Sequence, residues 1–107
     1  MTKRILIADD DDIVISLQMK LLEHLGYSSI MVAKDGFEVL RCITEVEPDV
    51  IFLDINMTGL DGWVVCEILN GVKRWRHIPI VFQSVTTDPG ATIRALELGA
   101  CAYIQKP

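Results

Sequence analysis

Short apolar runs recur along the chain at 4–8, 29–33, 50–53, 80–83 and 101–105, each bounded by Gly, Pro or Asp. Several are apolar throughout instead of alternating, the pattern of strands buried on both faces. Between them the spacing lengthens to helical. Ile13, Leu17, Leu21 and Leu25 repeat every four residues and stop at Gly26, which predicts a helix presenting these four on a buried face. A second helix is expected over 37–46, between Asp35-Gly36 and Pro48, and Val65, Ile68, Leu69 and Val72 mark a third after Asp61-Gly62. Asp88-Pro89 reads as a cap followed by a proline at the first helical position, opening a fourth helix that ends at Gly99.

Five strands alternating with four helices predict an α/β fold, a doubly wound five-stranded parallel sheet covered on both faces. No repeat, low-complexity tract or linker interrupts the pattern, and 107 residues leave room for one domain. The alternation stops short at Lys106-Pro107, where a closing helix on the order of 12 residues is expected. The reading is a single domain over 1–107 whose last helix is absent or truncated.

Composition narrows the function classes. Ten Lys and Arg against fifteen Asp and Glu give a net charge of −5, and Asp9, Asp10, Asp11 and Asp12 supply four of the negatives in one block. Acidity so local, without clustered cations, argues against a nucleic-acid partner, and Lys73-Arg74-Trp75-Arg76 reads as a solvated helix end. Neither a membrane span nor a signal peptide is visible, so a cytoplasmic protein with no membrane contact is expected. Cys42, Cys66 and Cys101 are odd in number and lack C-x-x-C spacing, which assigns them to packing as reduced thiols. Trp63, Trp75, His24 and His77 fall at no strand end and are read as packing or surface residues.

In open α/β sheets ligands bind beyond the carboxyl ends of the strands. Asp9 and Asp10 follow the first strand, Asp54 the third, Ser84 the fourth and Lys106 the fifth. Three carboxylates, a hydroxyl and an ammonium would converge on one edge. Gathered acids repel unless a cation neutralises them, and a hard divalent ion such as Mg²⁺ suits this oxygen-only set better than zinc. The inventory describes a phosphoryl-transfer site with a carboxylate nucleophile. Each residue alone has a plainer reading. Asp11 and Asp12 are kept as helix-capping acids, and Asp61 before Gly62 as a turn former.

With these motifs in place the chain resembles the receiver domain of two-component response regulators over essentially its whole length. Ile5-Leu6-Ile7-Ala8-Asp9-Asp10-Asp11 is similar to the family's opening strand and acidic pair. Residues 48–54 followed by 55–62 resemble its phosphoacceptor segment, 78–84 its fourth strand with a hydroxyl residue, and 99–107 its fifth. The resemblance implies a flavodoxin-like strand order 2-1-3-4-5, with Asp54 as the residue that takes a phosphoryl group from the phosphohistidine of a sensor histidine kinase or phosphotransfer protein. It implies that Asp9, Asp10, Asp54 and the backbone carbonyl of Asn56 hold Mg²⁺ or Mn²⁺ and that Lys106 pairs with the phosphoryl oxygens. Ser84 and Tyr103 would form the switch that changes the surface read by a downstream effector.

Three departures from the family pattern carry expectations. Thr58 stands where proline is usual, which frees φ in the loop after Asp54. Val85 stands where a smaller residue is usual and is expected to slow access to the site. Asn56 and Thr86 occupy positions that set the lifetime of the family's aspartyl phosphate. Without the closing helix, which in the family covers one sheet face beside the first helix, apolar residues there should be exposed and favour association, as in a homodimer, or instability. A pseudo-receiver, acting as an interaction module without phosphorylation, is the alternative reading. A dehalogenase-like phosphatase is disfavoured by Ile13-Val14 where a threonine is needed, and a flavin binder by the acid block.

Overall fold

A computed structural model describes residues 3–85, 89–100 and 102–106 of the chain. Five parallel strands, β1 (Arg4–Ala8), β2 (Ser29–Ala33), β3 (Val50–Asp54), β4 (Ile80–Ser84) and β5 (Ala102–Gln105), form one sheet in the order β2-β1-β3-β4-β5. The helices are α1 (Asp12–His24), α2 (Gly36–Glu45), α3 (Gly62–Gly71) and α4 (Pro89–Glu97). Class, strand order and the alternation of elements match the sequence expectation. Asp88, the cap expected for α4, lies outside the described residues, as do Thr86 and Cys101.

Strand residues alternate between two faces of the sheet. Leu6, Ala8, Ile51, Leu53, Ile80 and Phe82 point to the face packed by Val39 and Ile43 of α2, Val65, Cys66 and Leu69 of α3 and Ala95 of α4. Ile5 and Ile7 point to the opposite face, where Ile15 of α1 meets them and Met19, Leu22, Ile30, Val32, Val50 and Phe52 pack around them half-buried.

The expected buried face of α1 is corrected here. Ile13, Leu17, Leu21 and Leu25 are 72%, 52%, 59% and 63% exposed, while Val14 and Ile15 are buried. A strict four-residue spacing drifts slowly around a helix of 3.6 residues per turn, so it marks one stripe without saying which neighbour the stripe meets. In this chain the helix lies on the sheet through Ile15, Met19 and Leu22, and Val14 is buried beside them in sequence. Of the exposed stripe, Leu21 lines an open groove together with Gln18, Leu22, Phe52 and Ile104.

Local signals fix the helix starts. Asp11 caps α1 by accepting from the backbone N–H groups of Ile13 and Val14, Asp35 caps α2 through Glu38, and Asp61 caps α3 through Val64. The basic stretch after α3 lies in turns, with Lys73, Arg74 and Arg76 exposed and Trp75 half-buried against the core. Trp63 packs on Phe82 with ring centroids 4.8 Å apart and planes tilted by 45°, and the Arg94 guanidinium lies over its ring.

Candidate functional site

The site is built by parallel strands that end at the same level. Asp9 follows β1, Asp54 closes β3, and these two strands flank the point where strand order reverses, the crevice that such sheets leave open. Asp9 is fully buried and Asp54 is 3% exposed. Between them stands Lys106, whose Nζ lies 2.7 Å from Asp9 Oδ2 and 3.1 Å from Asp54 Oδ2. Its own backbone N–H donates to the Ser84 carbonyl at 2.8 Å, which continues the β4–β5 pairing and aims the side chain inward across β4. Asp10 is exposed at the rim, yet the carboxylate oxygens of Asp9, Asp10 and Asp54 come within 4.8 Å of one another.

Backbone donors orient the two buried acids. The Asp11 N–H donates to Asp9 Oδ1 at 2.9 Å, and the Asn56 N–H donates to Asp54 Oδ1 at 3.3 Å. Burial pushes the Asp54 carboxyl above its ordinary value; the Lys106 ammonium opposes this and the nearby Asp9 charge adds to it. Burial acts to lower the Lys106 ammonium, but the two carboxylates outweigh it and raise the group overall. The charge count is therefore three carboxylates against one ammonium, a local surplus of two negatives.

The loop after Asp54 is held tightly. Gly62 donates its backbone N–H to the Ile55 carbonyl at 2.8 Å, and a Cβ on Gly62 would stand 2.3 Å from the Asp54 carbonyl oxygen. Only glycine lets the start of α3 approach the Asp54 backbone this closely. Thr58 bridges to Asp35, its carbonyl accepting from the Gly36 N–H at 3.4 Å, so pairing with the start of α2 supplies restraint that proline would otherwise give.

The other residues singled out by sequence fall around this centre. Ser84 is fully buried at the end of β4, and Tyr103 is half-buried in β5, paired with Phe82 and packed on the larger core. Asn56 is exposed beside Asp54, and Val85 is 68% exposed beyond β4. Asp11 caps α1 as its plainer reading held, and Asp61, read as a turn former, caps α3.

One participant escaped the sequence reading. Gln83, fully buried in β4, donates from Nε2 to Asp9 Oδ2 at 3.1 Å and pairs with Gln18 of α1. The signal was a lone amide in the otherwise apolar run before Ser84, at a position where a strand buried on both faces has no cheap place for a polar group.

The chain matches the response regulator receiver domain family over residues 5–107. It is 40% identical over 109 residues to protein-glutamate methylesterase/protein-glutamine glutaminase 3 of Rhodospirillum rubrum, covering all of this chain and 28% of that protein. The signal receiver domain of a signal transduction histidine kinase from Syntrophus aciditrophicus superposes with a TM-score of 0.88 at 32% identity, over 99% of this chain and 80% of that one. The Mn²⁺-bound form of response regulator Rcp1 has a TM-score of 0.91 at 21% identity, over 98% of this chain and 81% of that one, and shares the fold. The chain spans between about a sixth and just under half the length of the curated relatives it matches. With an acid centre at the reversal point of a 2-1-3-4-5 sheet and a family match from β1 to its last residue, this chain belongs to the receiver domains of two-component response regulators.

Proposed function

We propose that the chain accepts a phosphoryl group on Asp54 from a histidine kinase or phosphotransfer protein and passes the signal to an effector by a change of surface. The observation that carries this reading is the Lys106 ammonium bridging two buried carboxylates, with a third within 4.8 Å and two negative charges left over. A divalent cation balances that surplus, and the all-oxygen donor set suits a hard ion. Asp9, Asp10 and Asp54, with the backbone carbonyl of Asn56, would hold Mg²⁺ or Mn²⁺, whose charge would neutralise the phosphoryl oxygens during transfer.

In the transfer, a carboxylate oxygen of Asp54 forms the new O–P bond as the P–N bond to the donor imidazole breaks. The imidazole leaves with the electron pair and takes a proton from solvent. Asp54 sits in a nearly dry site with its oxygens fixed by Asn56 and Lys106, so little reorganisation precedes attack. Lys106 follows the charge from carboxylate to phosphoryl oxygen, which frees it from Asp9. Ser84 then hydrogen-bonds the phosphoryl group and Tyr103 turns inward, a population shift toward an arrangement whose bonds exist only with phosphate present. Val85 at the rim slows entry, so Val85→Ala should be phosphorylated faster than the parent; equal rates would remove that role.

The domain assignment, residues 1–107 as a receiver domain, belongs to the same reading, and so does self-association through the open face of α1. The direct test of phosphoacceptor function is intact mass after incubation with a small-molecule phosphodonor and Mg²⁺. One phosphoryl adduct is expected, lost in Asp54→Ala and lost with chelator. No adduct with any donor would instead favour a phosphorylation-independent interaction module.

A further inference from the structure

Gln83 is the one fully buried amide in the described structure, and its partners lie on opposite sides. Toward the site, Nε2 donates to Asp9 Oδ2. Toward α1, the amides of Gln83 and Gln18 pair reciprocally: Gln18 Nε2 donates to Gln83 Oε1, and Gln83 Nε2 reaches Gln18 Oε1 at 3.4 Å. Asp9 fixes the sense of this pair, because an ionised carboxylate only accepts and the Gln83 nitrogen must face it. Burying an amide at this position is costly unless its donors and acceptor are met, and here all are met by side chains.

The acceptor capacity of Asp9 shows what this arrangement does. A carboxylate offers roughly four lone-pair directions. Among the described residues, Oδ2 takes Lys106 and Gln83 and Oδ1 takes the Asp11 N–H, which leaves one direction on Oδ1 for a cation shared with Asp10 and Asp54. Lys106 cannot be a permanent anchor, since it also serves Asp54 and is the group that would follow a phosphoryl oxygen. Gln83 is the side-chain donor that stays.

We propose that Gln83 is a positioning residue for the cation site: its amide holds the Asp9 carboxylate in the ligating orientation, and Gln18 acts only by fixing that amide. The inference rests on the reading of Asp9 as a cation ligand. It also gives the site a physical connection to α1, on the side of the open groove that Gln18 lines.

Calorimetric titration of Mg²⁺ into the purified chain tests this, using Gln83→Met, Gln18→Met and the double variant, with thermal melts run beside each. Methionine keeps the length of the side chain and removes the amide. Gln83→Met should bind Mg²⁺ about tenfold more weakly, the lower end of what loss of a group supporting a metal ligand brings. Gln18→Met should weaken binding by about threefold. The double variant should equal Gln83→Met, because Gln18 has no route to the ion except through Gln83. Affinity within twofold of the parent in Gln83→Met overturns the proposal, and so do additive effects in the double variant. If Gln83→Met fails to fold, Gln18→Met decides, and unchanged affinity there overturns it. A parent that binds no Mg²⁺ removes the cation-site reading and this inference together. A parent whose binding is weakened by Asp10→Asn but not by Gln83→Met removes this inference alone.

Discussion

The two faces of the sheet are made from the same strands and end up differently finished. On the face toward α2, α3 and α4, seventeen residues among those described are buried in one continuous cluster. On the face toward α1, the apolar cluster has three buried members among the described residues, with Ile30, Val32, Val50 and Phe52 only partly covered. Strand propensity cannot account for this, since Ile5 and Leu6 are neighbours in one strand. What differs is the number of helices laid over each face. A lone helix covers a stripe, and residues beside the stripe keep their contact with water. The less finished face is also the one that accommodates the Gln83–Gln18 pair, so a polar connection between helix and site was admitted where packing was least demanding.

The contrast makes quantitative expectations. Leu69→Ala, on the finished face, should destabilise by about 4 kcal/mol, because a fully enclosed cavity cannot collapse. Ile15→Ala, on the open face, should cost about 2 kcal/mol, since water and half-covered neighbours can fill in. Chemical denaturation of both variants checks the ranking, and equal losses would break the comparison.

The carboxyl edge, where the faces meet, should behave in the opposite sense. Asp54 is raised by burial, with Asp9 adding to the shift and Lys106 opposing it, so the folded state holds its proton more tightly than the unfolded chain does. Ionised Asp54 thus works against folding, fully above its raised folded value and not at all below the ordinary carboxylate value of about 3.9. Asp54→Asn should therefore melt at a higher temperature than the parent at neutral pH without metal, with the gain vanishing as the pH falls through that window. Melts from pH 3 to 7 would show it, and a lower melting temperature for Asp54→Asn at pH 7 would contradict the electrostatic account. The smallest effect is expected on the exposed stripe. Leu17→Gln and Leu21→Gln should change stability by no more than about 0.5 kcal/mol. Light scattering should show less self-association in these variants than in the parent.

Much of this was legible in the sequence because the informative residues stand next to strand ends. Asp9, Asp54 and Lys106 follow their apolar runs directly, so locating the strands located the site, and the caps Asp11, Asp35 and Asp61 announced the helices that follow. The α1 stripe misled for a definite reason. Periodicity reports that Ile13, Leu17, Leu21 and Leu25 share a side, whereas burial depends on what lies opposite, which is tertiary information. Gln83 was missed because strand-end reasoning looks past the strand interior, although one glutamine between Phe82 and Ser84 is visible to any reader asking which core position is polar. The close approach at Gly62 was likewise hidden: the sequence shows a glycine after a capping acid, but only the fold puts the Asp54 carbonyl against it.

The bond between Lys106 and Asp9 joins residues near opposite ends of the chain. Contacts so distant in sequence are made after nearer ones have shortened the loop between them, because closing a long loop is entropically unfavourable. The acid centre is therefore expected among the last features to form during folding. A partly folded chain, even with β1, β3 and their helices in place, carries its acids without their cation. Competence for phosphotransfer should appear with the final kinetic phase of refolding, so that the chemistry itself certifies a completed fold.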